Sequence, residues 1–411
     1  MTQPSTQRDF DGFYGLRYLA ILVILVAHLY MIDCDLGQCH GGYPWLQALG
    51  NCALQFFFVA SAFLITFLLL AEEQKLGRLS IRNFFLRRIL RIWPAYFVLL
   101  LLVWGLVNRS SFFEIPHVTE SFFAADYTLC YGLYFGFLPH IVPFYHAMVP
   151  YLHHTYTIGI EEQFYFLWGM LFLLLRRGRI WIFTACAIGI PLLGLVHDWA
   201  FARDPALQHS GTPAAWALKA VTYLQYSRLS TFAIGSFLGY SYFYGRSWIA
   251  LFQKRGIQLL VLGLITAVVV YRKELPVIHL EALAVLMGAL MLIASFPAQS
   301  LLRFNQRWLV YLGHRSYGIY LFHIIAVVLA VRTMELLPLT GVMRFFVLLL
   351  LAVTYATVLG SLSYRFIEEP FLRLKERFKR VDPQRALAEA SSEIPSHQKP
   401  PGRPPEPARA S

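Results

Sequence analysis

Arg17 and His28 stand eleven residues apart in the apolar run GLRYLAILVILVAHLY. Eleven helical steps make almost three full turns and about 16 Å of rise, so both side chains leave the same face at different depths. An imidazole is the side chain that trades a proton near neutral pH. The segment TYTIGIEEQFYFLW carries Glu161 and Glu162. Adjacent helical positions point apart, so at most one of the two faces a cavity shared with His28. A carboxylate beside an imidazole fixes its tautomer and steadies the imidazolium. Counting residues from the helix start puts Glu161 close to the depth of His28, which makes the two a candidate catalytic pair. The structural alternative is a helix N-terminal acid favoured by the dipole, which suits Glu162 better than Glu161.

Other polar residues stand in similar settings. Arg88 and Arg91 in NFFLRRILRIWPAY are three apart and share a face, and guanidinium forks suit phosphates. Plain anchoring at a membrane surface is the alternative for each. Arg228 in YSRLSTFAIGSFLGY either holds a polar acceptor, pairs with Glu161, or anchors the helix end. Tyr320 and His323 in SYGIYLFH lie three apart on one face, as an acceptor or oxyanion contact or as a packing pair. No zinc-ligand spacing, P-loop, GxGxxG or GxSxG occurs. Neither a metal nor a bound cofactor is therefore expected.

The elements that carry these residues are membrane spans. The 411 residues are 57% hydrophobic and only 14% charged, against about 25% charged in a soluble domain. The composition predicts an all-α, polytopic helical bundle. About ten segments are long and apolar enough to span: 14–32, 49–71, 92–107, 157–175, 179–197, 225–244, 256–271, 277–296, 309–331 and 343–366. The apolar stretch 122–150 is broken by Pro139, Pro143 and Pro150 and is expected to be re-entrant or interfacial. With ten spans, Lys75, Arg78, Arg82, Arg87, Arg88, Arg91, Arg176, Arg177, Arg179, Arg246, Lys254, Arg255, Arg303 and Arg307 all fall on one side. The opposite side keeps only Arg109, Arg203, Lys219, Arg272, Lys273 and Arg332. That asymmetry predicts cytoplasmic termini. It also accounts for the net charge of +12 without nucleic acid. Residues 1–375 are expected to form one membrane domain, and 376–411 a disordered Pro/Ala-rich cytoplasmic tail. Cys34 and Cys39 share a short loop, either as a disulfide in an oxidising compartment or as two free thiols.

In their order and spacing these motifs resemble the acyltransferase family 3 membrane proteins, over nearly the whole chain to about residue 375. DGFYGLRYLAILVILVAH is similar to that family's Arg-x10-His first helix, FFFVASAFLIT to its FFVLSGFLIT, and Arg88-Ile-Leu-Arg91 to its RxxR motif. TYTIGIEEQFYFLW resembles its TWSLxxEEQFYLLW, with Tyr156 and Thr157 replacing Trp and Ser. RLSTFAIGSFLGY, SYGIYLFH and SYRFIEEPF resemble later signatures; the departures include Ala62 for a usual Gly in FFFVASAFLIT and Glu369 at a position often basic.

The resemblance implies an O-acyltransferase of a bacterial inner membrane. Such an enzyme takes cytosolic acyl-CoA as co-substrate and a hydroxyl of an envelope glycan, exopolysaccharide or glycoside as acceptor at the outer side. It also implies that His28 is essential and that Arg17, Arg88 and Arg91 serve the donor. In the expected mechanism His28, oriented by Glu161, deprotonates the acceptor or becomes acylated itself, while Arg228 or Tyr320 steadies the oxyanion. Two other classes carry intramembrane Arg, His and Glu: a proton-coupled transporter or flippase of a sugar-containing substrate, and a non-catalytic receptor with an aromatic pocket. Equivalent interrupted helices in two halves, the mark of many carriers, are not visible in the sequence.

Overall fold

The computed structural model describes residues 11–35, 44–115, 128–144, 149–204, 212–272, 275 and 278–378. Cys39, residues 122–127 and 145–148, and all but the start of the 376–411 tail lie outside them. Among the described residues the protein is entirely helical, without a strand.

The first three helices are α1 (Asp11–Asp35), α2 (Pro44–Leu76) and α3 (Ile81–Gly105). A short α4 (Thr128–Phe135) and 3-10 turns at Pro139–Phe144 and His153–Thr155 lead into α5 (Tyr156–Leu174). Next come α6 (Arg179–Arg203), α7 (Pro213–Tyr226), α8 (Leu229–Phe243), α9 (Arg255–Tyr271) and α10 (His279–Ala294). The chain continues with α11 (Arg307–His314), α12 (Ser316–Glu335), α13 (Gly341–Ser363) and α14 (Glu369–Glu376).

A helix lies at each of the ten expected spans. Six stretches are long and apolar enough to cross a membrane by themselves: those of α1, α2, α3, α6, α12 and α13. A seventh counts if α9 is joined to the 3-10 turn Ser247–Gln253 before it, across a 75° bend. The helices α5, α8 and α10 do not meet that test alone. The segment 309–331 is not one helix, because the chain breaks at Arg315 between α11 and α12. The segment 225–244 likewise breaks at Arg228, whose φ of 57° is left-handed. In the described part of 122–150 only the short α4 and a 3-10 turn form, as its three prolines require.

Helices α2 and α12 are the inner ones, with 72% of their apolar windows buried, against 22% for α6 and α13. The outer helices turn Trp181, Ile188, Leu192 and Val196 of α6 and Phe346 and Leu350 of α13 outward, as lipid-facing surfaces do. Helix α8 lies against α2 at backbone distance. A β-carbon on Gly235 would stand 2.5 Å from the Val59 carbonyl oxygen, and one on Gly239 2.6 Å from that of Phe63. Small residues four apart permit such contact, and in lipid close packing is what holds helices together. Around this inner group α1 packs on α2, α11 and α12, and α3 packs on α5 and α14.

Candidate active site

Two cavities adjoin inside the bundle, one near the N-terminal end of α1 and one near its C-terminal end. The first, of about 120 Å³, is lined by Arg17 of α1, Arg88 and Arg91 of α3, Glu161 and Tyr165 of α5, and Tyr320 of α12. The second, of about 640 Å³, is lined by His28 of α1, Gln47 and Asn51 of α2, His153 and His154 before α5, and Tyr320 again. They meet at Leu54, Thr157 and Tyr320, which line both.

The cationic cavity gathers the three arginines singled out by spacing. Arg88 and Arg91 reach it because α3 starts at Ile81, which puts both on a helix face and not in a loop. Arg17 and Arg88 bury their Nε atoms without a hydrogen-bond partner among the described residues. The Arg88 guanidinium lies 5.5 Å from the ring centre of Tyr165 and 5.7 Å from that of Phe84. Arg91 meets Glu368 at 4.0 Å, at the outer limit of an ion pair. Glu161 is fixed in the same cavity by two hydroxyls. Ser61 Oγ donates to Glu161 Oε1 at 3.1 Å, and the Tyr165 hydroxyl donates to Oε2 at 2.7 Å. Buried guanidinium groups with unused donors are suited to a bound anion, since each N–H left unpaired costs its desolvation.

Above them the hydroxyls of Tyr320 and Thr157 form a thin partition, 2.6 Å apart. Both hydroxyls also reach the His154 carbonyl, which accepts from Tyr320 at 2.7 Å and from Thr157 at 3.1 Å.

The second cavity holds a cluster of imidazoles. His323 Nδ1 faces the carbonyl of Tyr320, one turn back on its own helix, and therefore carries the proton. Its Nε2 is then an acceptor, 3.0 Å from His28 Nδ1. His28 Nδ1 must donate, which leaves His28 Nε2 with a free lone pair, the form a general base needs. His154 donates from Nε2 to the Leu321 carbonyl at 3.1 Å. The His153 ring centre lies 5.1 Å from that of His28. Burial first, and His28 second, push the His153 imidazole down to about 3, so it is neutral at physiological pH. Among the described residues no group of three or more His, Cys, Asp or Glu side chains is placed to hold a metal ion.

Several expectations need correction. His28 and Glu161 do not form a pair: Glu161 sits with the arginines, and His28 is bonded to His323. The cause is where α5 begins. The turn His153–Thr155 occupies the level of His28, and Glu161 lies seven residues past His154, about 10 Å further along the helix. Arg228 does not pair with Glu161 either. It sits at the break before α8, within electrostatic reach of Tyr156 and Tyr226, and lines neither of these two cavities. Glu162 points away from Glu161, as adjacent helical positions must, and accepts from Trp93 Nε1 at 3.5 Å. Tyr320 is placed between the cavities, and His323 supports His28. His153 and His154 escaped notice in the sequence. The only signal was a His-His pair just before the EE-bearing helix. Cys34 lines the second cavity and is disulfide-bonded.

A polytopic helical membrane protein in which a cationic cavity adjoins a histidine cavity is the class that fold and site define. Residues 10–361 match the family model described as an acyltransferase domain, and the chain belongs to that family, acyltransferase family 3. It is 28% identical to the peptidoglycan O-acetyltransferase OatA of Listeria monocytogenes, over 90% of this chain and 57% of that protein. It is 26% identical to a putative O-acetyltransferase of Staphylococcus aureus (strain COL), over 90% of this chain and 58% of the relative. Identity to the putative peptidoglycan O-acetyltransferase YrhL of Bacillus subtilis is also 26%, over 88% and 55%. The chain thus spans a little over half the length of these relatives. No solved structure matches it.

Proposed function

We propose that this chain is an O-acyltransferase of a bacterial inner membrane, moving an acyl group from cytosolic acyl-CoA to a hydroxyl of a cell-envelope glycan at the outer side. The relatives named as peptidoglycan O-acetyltransferases make acetyl the first acyl group to test and peptidoglycan the first acceptor. The observation that carries the reading is the order of the two cavities along α1: three guanidinium groups at one end, a free imidazole nitrogen at the other, and one pair of hydroxyls between them.

Charge and redox chemistry support the orientation. With ten spans and cytoplasmic termini, the arginine cavity opens toward the cytosol. The Cys34 disulfide then lies at the outer, oxidising end, where such bonds persist. In this frame Arg88, Arg91 and Arg17 hold the phosphates of acyl-CoA. The pantetheine arm rises past Tyr320 and Thr157 and brings the thioester to His28. His28 Nε2 takes the proton of the acceptor hydroxyl, the oxygen attacks the thioester carbon, and a tetrahedral oxyanion forms. The C–S bond breaks, the imidazolium returns its proton to the thiolate, and an ester and free CoA leave. The His323 imidazole supplies the orientation that a carboxylate supplies in a triad.

The test is His28→Ala in the full chain. General-base assistance is worth about 10²–10⁴ in rate. Membranes carrying the variant should hold normal amounts of protein and transfer labelled acetyl groups to glycan at no more than about 1% of the native rate. Transfer at the native rate removes His28 from the reaction.

A further inference from the structure

Resting on the reading above, we propose that His153 is an acceptor-binding residue, whose Nε2 holds a second hydroxyl beside the one acylated. The outer cavity is then built for a polyhydroxylated sugar and not for a simple alcohol.

The first support is an unused atom. His153 Nε2 is buried and has no hydrogen-bond partner among the described residues, although His153 lines the larger cavity. A polar atom taken out of water without a partner is costly, and a ligand that pairs with it recovers that cost. The second support is the chemistry of the missing partner. A neutral imidazole nitrogen is a donor in one tautomer and an acceptor in the other. A hydroxyl both donates and accepts, so it satisfies Nε2 in either form. A carbonyl or an ammonium group satisfies only one.

The third support is position. The His153 and His28 ring centres lie 5.1 Å apart, close enough for hydroxyls on neighbouring ring carbons to engage both imidazoles through ordinary hydrogen bonds of about 2.8 Å. His153 lines the outer cavity and not the arginine cavity, so it meets the acceptor and not the CoA phosphates. The rest of the outer lining suits a sugar. Gln47 and Asn51 offer amides, and Tyr156 and Tyr320 offer aromatic faces. A volume of about 640 Å³ lies within the range of about 300–1,000 Å³ usual for ligand pockets.

Two variants of the full chain in its own membrane test the idea, His153→Leu and His153→Asn, each normalised to protein amount. Two signals are read. One is O-acetylation of the envelope glycan, by mass spectrometry. The other is CoA release from labelled acetyl-CoA in membranes given no acceptor. One lost hydrogen bond to a bound hydroxyl lowers glycan acetylation about tenfold in the leucine variant. Its acceptor-free CoA release falls less than its glycan acetylation does, because the thioester is not what His153 touches. Asparagine, which again donates and accepts, recovers part of the acetylation. Native acetylation by the leucine variant overturns the assignment. So does a parallel fall of both signals, which would put His153 on the thioester. If the native chain raises neither signal above an empty vector, the acyltransferase reading fails instead.

Discussion

At the residue scale, His28 is oriented by another imidazole. The His28 Nδ1 to His323 Nε2 bond of 3.0 Å and the carbonyl of Tyr320 behind it set both tautomers without a carboxylate. A neutral orienting group fixes geometry but contributes less to an imidazolium than a charged one does. If His28 is the base, His323 is a positioning residue. His323→Ala should lower kcat by about 10- to 10³-fold, less than the loss of the base itself, and leave KM for acyl-CoA unchanged. It should also move the acidic limb of the pH–rate profile, and His323→Gln should restore part of kcat. A profile that superimposes on the native one assigns His323 to packing alone. The arginines call for a different comparison. If Arg88 binds phosphate, Arg88→Ala raises KM for acetyl-CoA about 10- to 100-fold and leaves KM for acetyl-pantetheine, which lacks the nucleotide phosphates, as it was. Equal losses on both donors contradict the phosphate role.

At the scale of elements, the site exists because short breaks and close contacts bring residues of distant sequence together. Helix α5 starts only after the turn His153–Thr155, which sends Glu161 down to the arginines and leaves the two histidines level with His28. Tyr317 and Tyr320 belong to a helix that starts afresh after Arg315, and the Tyr317 hydroxyl ties it to α3 through the Ile92 carbonyl at 2.7 Å. Helix α2, which supplies Ser61, is backed by α8 at Gly235 and Gly239. Gly235→Leu adds a side chain where a β-carbon already meets a backbone carbonyl at 2.5 Å. Overpacking of this kind costs about 1–3 kcal/mol. The detergent-solubilised variant should melt several degrees lower and lose transfer activity in step. A melting temperature equal to the native one contradicts this contact.

At the scale of the whole molecule, ion pairs fasten helices to one another near their ends. Arg344 of α13 pairs with Asp33 of α1 at 2.6 Å, Arg87 of α3 with Glu72 of α2 at 2.7 Å, and Arg179 of α6 with Glu73 of α2. Arg87 also donates to the Phe378 carbonyl at 3.0 Å, which holds the end of the described chain against α3. These ties fasten α1, α2 and α3 to their neighbours, but they do not say which end faces the cytosol. A labelling experiment does. With single cysteines introduced at the exposed positions Arg78 and Arg203, a membrane-impermeant maleimide applied to intact spheroplasts should label Arg203→Cys. It should reach Arg78→Cys only after permeabilisation. The reverse pattern inverts the orientation and, with it, the assignment of donor and acceptor cavities.

Composition and apolar run length alone determine that this is a helical membrane protein, because lipid leaves an unsatisfied backbone no alternative. The motif order identifies the family, and the spacing of Arg17 with His28 and of Arg88 with Arg91 places each pair on one helix face, since helical geometry is local. What spacing cannot reach is the register of one helix against another. A shift of a turn or two separates Glu161 from His28, and only packing among α1, α5 and α12 decides it. The same packing makes His323 the partner of His28 and brings His153 beside it, because both contacts join positions more than a hundred residues apart in the chain.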